Sequence, residues 1–286
     1  MFSSDLPVRR SRSYAMLLLL GVAALFLLLP VSVHATVFDW PTGGWTMGAP
    51  GPGQTFTESF TSINPNDISV SFNNNGAGPQ GGTWRPGYPT IDSTTSTGGF
   101  SGVNGLQMFL NQQSTTSSFI LTTVVFSTTV TNLSFQIWDV DAISGTFADK
   151  IYSLQALGPG GVIVGATSVT SATPGFNTIT GSGLSTVVLG TATADNATNQ
   201  GTITITFAGP ITQFSFKWSN NDPALSTQAI ALGPLTYVAT PEMSPGWGAA
   251  LVCAIAIGSR EISRRRRMAW KKQVLAHSSG SHFPVI

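Results

Sequence analysis

The sequence predicts an all-β fold, a single domain built as a β-sandwich or jelly roll and flanked by an N-terminal and a C-terminal hydrophobic helix. Three observations predict it. Roughly eleven short segments have the composition and alternation of β-strands and are separated by turn signals. Only 9% of the residues are charged whereas 42% are hydrophobic, which suits a secreted all-β protein better than a cytosolic enzyme or a disordered chain. No amphipathic helical pattern interrupts residues 36–240.

The first 35 residues have the features of a secretory signal peptide. Three arginines lie between residues 9 and 12, an apolar segment covers residues 16–29, and Ala35 is a small residue suited to the cleavage site. This order predicts export and removal of residues 1–35. The alternative is an uncleaved N-terminal membrane anchor, which the short apolar segment and the site after it disfavour.

The predicted strands follow one another through residues 36–240. Strict alternation is clearest where Leu133, Phe135 and Ile137 share one face of a strand. The other strands are identified by β-branched residues and by the Gly, Pro and Asn clusters that bound them. The predicted strands are residues 54–60, 68–72, 105–112, 119–126, 133–138, 151–157, 162–169, 177–179, 186–193, 202–207, 214–218 and 230–237.

Charge and residue content exclude several function classes. The chain has a net charge of +1, but residues 36–240 contain three basic and nine acidic residues, a net charge of −6. An acidic domain has no electrostatic footprint for nucleic acid, so no nucleic-acid partner is predicted. All three histidines and the single cysteine, Cys253, lie outside residues 36–240. Nucleophiles activated by histidine and zinc sites built on His or Cys are therefore excluded there, and no enzyme activity is predicted.

Three aspartates after the clearest strand form the candidate metal site. Asp139 and Asp141 are two residues apart and would share one face if the strand continued, and Asp149 opens the next predicted strand. Hard oxygen ligands at a strand end suit Ca²⁺. The alternative is that all three lie in solvent at a loop, and the small number of ligands favours that alternative.

Aromatic residues in Gly- and Pro-rich segments form a candidate ligand-binding set, which consists of Trp40, Trp45 and Trp84. Tryptophans in loops can stack on sugars. They can equally fill the ends of a sandwich core, and this second interpretation is favoured because aromatic side chains bury a large apolar area.

Residues 241–267 combine a short Pro-Glu motif, an apolar segment and a basic cluster. Pro241 and Glu242 begin it, and residues 247–258 are apolar and uncharged. A membrane span needs about 20 apolar residues, a length that is reached only when residues 259–263 are included. The alternative is a small buried helix, which the basic cluster disfavours; that cluster would hold this end on the cytoplasmic side. It consists of Arg264, Arg265, Arg266 and Arg267.

This C-terminal segment resembles the PEP-CTERM sorting signal of bacterial surface proteins, with Met243 in place of the second proline of the motif. The resemblance implies recognition and cleavage near Pro241 by a membrane enzyme of the exosortase type. Contact with the membrane through the C-terminal helix is predicted, and residues 268–286 would form a cytoplasmic or disordered tail after the arginine cluster.

The predicted function is that of an exported protein, anchored at the cell surface or released into the extracellular matrix. Its β-domain would be a structural or adhesive module in contact with extracellular polysaccharide. The alternative function is a carbohydrate-binding module or a glycan-active enzyme that uses the tryptophans and the acidic residues.

Overall fold

The structure is a computed structural model of the 286-residue chain. The chain forms two compact units, Met1–Thr240 and Pro241–Ile286. The structure describes residues 34–41, 55–60, 68–74, 83–84, 88–93, 102–112, 119–224, 226–240, 259–260, 262–268 and 270. Nearly all of the predicted signal peptide, together with Trp45, Pro241 and Glu242, lies outside these residues.

The first unit is all-β, which confirms the predicted class. Its described residues form a sheet of 16 strands, and every pairing in it is antiparallel. The first eight strands are β1 Ala35–Phe38, β2 Thr55–Phe60, β3 Ile68–Asn74, β4 Thr83–Trp84, β5 Thr90–Asp92, β6 Gly105–Gln112, β7 Ile120–Trp138 and β8 Ala142–Ile143. The other eight are β9 Phe147–Leu157, β10 Ile163–Gly165, β11 Ser168–Ser171, β12 Asn177–Thr180, β13 Val187–Gly190, β14 Ile203–Phe207, β15 Ile211–Asn220 and β16 Ser226–Ala239.

Strand β7 is the central element, 19 residues long. Up to Phe126 it pairs with β3 and β15, and from Val130 onward it pairs mainly with β14 and β16. The sequence predicts two separate strands here, residues 119–126 and 133–138, and that prediction is wrong. Inward-facing residues are even-numbered up to Val130 and odd-numbered from Leu133, so the alternation changes phase within one continuous strand, at Asn132, whose φ is 51°.

Side chains from both parts of β7 meet in one hydrophobic core. The ring of Phe126 lies 6.2 Å from that of Phe214 and 5.2 Å from that of Tyr237. The ring of Phe135, beyond the change of partners, stacks on the same Phe214 at 4.4 Å. The core is therefore continuous along the whole of β7, and its aromatic rings supply much of the buried apolar area.

Short strands account for most of the other differences from the predicted elements. The predicted strand at residues 162–169 is two strands, of which β10 pairs with β9 and β11 with β14. Strands β1, β4, β5 and β8 have between 2 and 4 residues, too few for a period-two pattern to be visible in the sequence.

The described part of the second unit is helical at residues 259–260, 262–268 and 270, and every side chain classified there is exposed. The arginine cluster Arg264, Arg265, Arg266 and Arg267 lies on this helical backbone. Among the described residues, no helix is both long enough and apolar enough to cross a membrane. The apolar segment 247–258 lies outside the described residues.

Candidate functional site: an acidic cavity at the end of strand β7

The loop that carries Asp139 and Asp141 begins where β7 ends, at Trp138. The backbone of Asp139 has a φ of 65°, in the left-handed region that Asn and Asp tolerate better than most residues. The strand therefore stops before Asp139, and the expectation that Asp139 and Asp141 share a strand face is wrong. After the left-handed residue Asp139, the side chain of Val140 is buried in the core.

Backbone hydrogen bonds fix this loop from both sides. The Val140 N–H donates to the Gly201 carbonyl at 2.9 Å, and the Asp149 N–H donates to the Asp141 carbonyl at 2.9 Å. Gly190 packs so closely that a Cβ there would overlap the Asp141 carbonyl oxygen. A rigid backbone therefore holds the acidic side chains in place.

The three predicted aspartates are all buried, with exposed fractions of 6% for Asp139, 5% for Asp141 and 0% for Asp149. The interpretation that they lie in solvent is therefore wrong. Asp149 accepts hydrogen bonds on both oxygens, from the Trp218 indole N–H at 2.8 Å and from the Asp141 N–H at 3.3 Å. Asp141 accepts one from the Ala194 N–H at 2.8 Å. The Oδ1 atom of Asp139 is buried and has no hydrogen-bond partner.

Burial raises the pKa of each of the three carboxyl groups. Loss of solvation, reinforced by the neighbouring charge of Asp141, raises the pKa of Asp139 from 3.8 to about 8. Loss of solvation raises the pKa of Asp141 to about 6, although the hydrogen bond from Ala194 opposes the change. Burial is also the main cause of the raised pKa of Asp149, with a further contribution from the Asp141 charge. The cluster therefore favours bound protons or a bound cation.

Asp139 and Asp141 line a cavity of about 310 Å³. Tyr88, Phe109 and Phe147 form apolar parts of its wall, and the rings of Tyr88 and Phe109 meet edge to face at 5.2 Å. Asp149 does not line the cavity, since its oxygens are turned toward Trp218 and the loop backbone. Within the described residues, no three or more acidic, His or Cys side chains are arranged to share a metal ion.

Gln228 is one of several polar residues of the cavity that the sequence alone did not identify. Its side chain is 1% exposed and lines the cavity, and neither its Oε1 nor its Nε2 atom has a hydrogen-bond partner. A signal existed in the sequence: Gln228 has the inward-facing register of Ile230 and Leu232 on β16, where a polar residue is unusual. Gln228 and Asp139 are far apart in the sequence, so the sequence does not show that they line the same cavity.

Of the predicted tryptophan set, the structure describes only the side chain of Trp40. Trp40 is completely buried, and its indole N–H donates to the Gly233 carbonyl at 2.9 Å, so it fills the core and cannot stack on a ligand. Trp84 lies on β4, which pairs with β6, but its side chain is outside the described part of the structure, as is all of Trp45. Among the described residues, the aromatic rings that line the cavity are those of Tyr88, Phe109 and Phe147.

Comparison of the chain with protein-family models, curated proteins and solved structures found no match. The function is therefore inferred from the chain's own residues. A cavity with two carboxyl groups, an unpartnered amide and aromatic walls can bind a hard cation or hydrogen-bond to a polar molecule.

Proposed function

We propose that the chain is an exported, non-enzymatic protein whose β-domain is displayed at the cell surface or in the extracellular matrix, after sorting by its PEP-CTERM-like C-terminal segment. The observation that supports this proposal is that the described sheet lies between the two predicted targeting segments. Among the described residues, the first strand begins at Ala35 and the last ends at Ala239. Cleavage of a signal peptide after Ala35 and of a sorting signal near Pro241 would leave this sheet essentially whole.

The first and the last described strands along the chain lie side by side in the sheet. Strand β1 pairs antiparallel with the end of β16, so that Ala35 lies opposite Val238 and Phe38 lies opposite Leu235. Phe38 and Trp40 are buried in the core, at the end of β1 and directly after it. The described residues of the β-domain therefore form a core among themselves, which suits flanking segments that serve targeting.

The C-terminal basic cluster supports the proposed sorting. The arginines at positions 264–267 are exposed on a helical backbone, and no described residue buries any of them. Exposed consecutive arginines after an apolar segment are suited to the cytoplasmic membrane surface. In this proposal an exosortase-like enzyme is the processing partner and extracellular polysaccharide is the surrounding medium.

The finer architecture in this proposal is a β-sandwich. The two parts of β7 have different partner strands, and the aromatic contacts of Phe126 and Phe135 converge on Phe214. Two packed layers that share one bent strand account for both observations.

Export and processing are tested by producing the full chain in a bacterium that encodes an exosortase. Intact cells are treated with a membrane-impermeant amine reagent, and the recovered protein is analysed by mass spectrometry. We expect a labelled product that begins at Thr36 and lacks the arginine cluster. A variant with glutamine at positions 264–267 should accumulate unprocessed, whereas glutamine at Lys271 and Lys272 should have little effect. A full-length, unlabelled cytosolic product would contradict the proposal.

A second candidate function, carbohydrate binding, is favoured by the aromatic and amide residues of the cavity. Phe109 and Phe147 offer ring surface to a sugar, and Asn196 offers hydrogen bonds. A glycan array with the full chain tests this function, with Phe147→Ala as the cavity variant and the exposed Val162→Ala as its control. Binding that is lost only in Phe147→Ala supports it, and hydrolysis that is lost in Asp139→Asn would make the protein an enzyme. An empty array would contradict it.

A further inference from the structure

Two carboxyl groups share the cavity, and none of the described residues that line it carries a positive charge. Asp139 and Asp141 are both more than nine-tenths buried, and both loss of solvation and the charge of Asp141 disfavour a charged Asp139. Two like charges in a low-dielectric site are stable only when a proton or a cation lies between them.

Gln228 supplies an independent sign of a ligand. Its buried amide has two unpartnered polar atoms, and its side chain faces the same cavity as the two aspartates. A buried amide without a hydrogen-bond partner is costly, so such a residue is usually completed by water, an ion or a ligand. The Oδ1 atom of Asp139 has the same deficit.

Hydrogen bonds from neighbouring residues hold the loop that carries the two cavity aspartates. Asp149 is hydrogen-bonded to the Asp141 N–H and to Trp218, which orients the loop without occupying the cavity. The Ala194 N–H holds one oxygen of Asp141. Residues that orient first-coordination ligands in this manner are a general feature of metal sites.

We propose that the cavity binds one Ca²⁺ ion, held by the carboxylates of Asp139 and Asp141 and by the Oε1 atom of Gln228. Carboxylate and amide oxygens are the ligands of hard cations, and residues 36–240 contain no His or Cys for a softer metal. Ca²⁺ accepts six to eight oxygen ligands in irregular geometry, and a cavity of about 310 Å³ leaves room for the waters that complete its shell. The proposal is independent of export and sorting, and it replaces the predicted third ligand, Asp149, with Gln228.

The test uses the full chain, purified in detergent and stripped of metal with a chelator. Isothermal titration calorimetry with CaCl₂ should show one site for each chain, and the melting temperature should rise with calcium by mass action. Asp139→Asn and Gln228→Leu should each weaken calcium binding at least about tenfold, since each removes a ligand. Asp195→Asn removes an exposed carboxylate outside the cavity and is the matched control, with binding unchanged.

Asn suits the left-handed backbone at position 139, so Asp139→Asn is expected to fold. Circular dichroism checks this, and Gln228→Leu decides the outcome if Asp139→Asn does not fold. No heat and no change of melting temperature in the unmodified chain would overturn the proposal. So would calcium binding that survives both cavity substitutions, or Mg²⁺ binding tighter than Ca²⁺ binding.

Discussion

The aromatic core around Phe135 and the acidic cavity around Asp139 are both buried but differ in how burial is compensated. Phe135 stacks on Phe214 at 4.4 Å and faces Phe207 at 6.5 Å, so its removal from water is matched by close packing. Asp139 and Gln228 are also removed from water, yet each keeps polar atoms without partners. The core thus contributes to stability, whereas the proposed calcium ion would supply partners for the polar atoms of the cavity.

The largest effect is expected in the core. Phe135→Ala removes a ring that is 2% exposed, and it should lower the free energy of unfolding by about 3–5 kcal/mol. Urea denaturation measures this change. Val162→Ala at an exposed position is the control and should change the free energy little. A small loss in Phe135→Ala would show that the core packing is not as described.

The second-largest loss of stability is expected at the hydrogen bond between Trp218 and Asp149, which lies behind the cavity. Trp218→Phe removes the indole N–H that donates to Asp149 at 2.8 Å and leaves a buried carboxyl oxygen without its partner. Hydrogen bonds to charged groups contribute about 1.5–3 kcal/mol, and we expect a loss of that size in urea denaturation. An unchanged free energy of unfolding would mean that Asp149 does not depend on Trp218.

Close packing against the acidic loop gives a third prediction. Gly190→Ala places a Cβ against the Asp141 carbonyl oxygen, and overpacking of this kind costs about 1–3 kcal/mol. It should also displace Asp141 and weaken calcium binding. Gly209→Ala is the matched control, because a Cβ there meets no atom within 4 Å. Equal behaviour of the two variants would contradict a rigid loop.

The smallest effect is expected at Trp40. Trp40→Phe keeps a buried ring but loses the hydrogen bond to the Gly233 carbonyl, so it should cost about 0.5–1.5 kcal/mol. Glycan binding, where it exists, should be unaffected in the folded variant, since Trp40 is not exposed. Selective loss of glycan binding at full stability would restore Trp40 as a ligand-binding residue.

The contrast between the aromatic core and the acidic cavity also explains which parts of the fold the sequence could predict. The all-β class was visible because inward and outward residues alternate on β7 and β15. The continuity of β7 was not visible, because the alternation changes phase between Val130 and Leu133 and residues 127–129 are polar. A period-two pattern is a local signal in the sequence. A change of neighbouring strands is a long-range property that the sequence alone does not display.

The site was predicted only in part for a similar reason. Asp139, Asp141 and Asp149 were identified by residue type and closeness in sequence, but their burial depends on strands from distant parts of the chain. The left-handed turn at Asp139 has no signature in the sequence, and the inward register of Gln228 on β16 indicates burial but not its place beside the aspartates. Trp40, in contrast, follows the general tendency of aromatic residues to be buried.

The most direct test of the difference between core and cavity is the pH dependence of stability in the metal-free protein. The pKa of Asp139 is raised by burial from 3.8 to about 8, so the folded state holds a proton that the unfolded state releases. The stability that this proton contributes is therefore fully present below about pH 4 and is lost as the pH rises through about 8. Asn at this position does not titrate.

Scanning calorimetry of the unmodified chain and of Asp139→Asn, in chelator at about pH 5 and about pH 9, makes the comparison. We predict that the unmodified chain loses more melting temperature between the two pH values, and that Asp139→Asn is the more stable protein at the higher pH. An Asp139→Asn variant that is less stable at both pH values would contradict the account, because the carboxyl group would then be a structural element like the aromatic core.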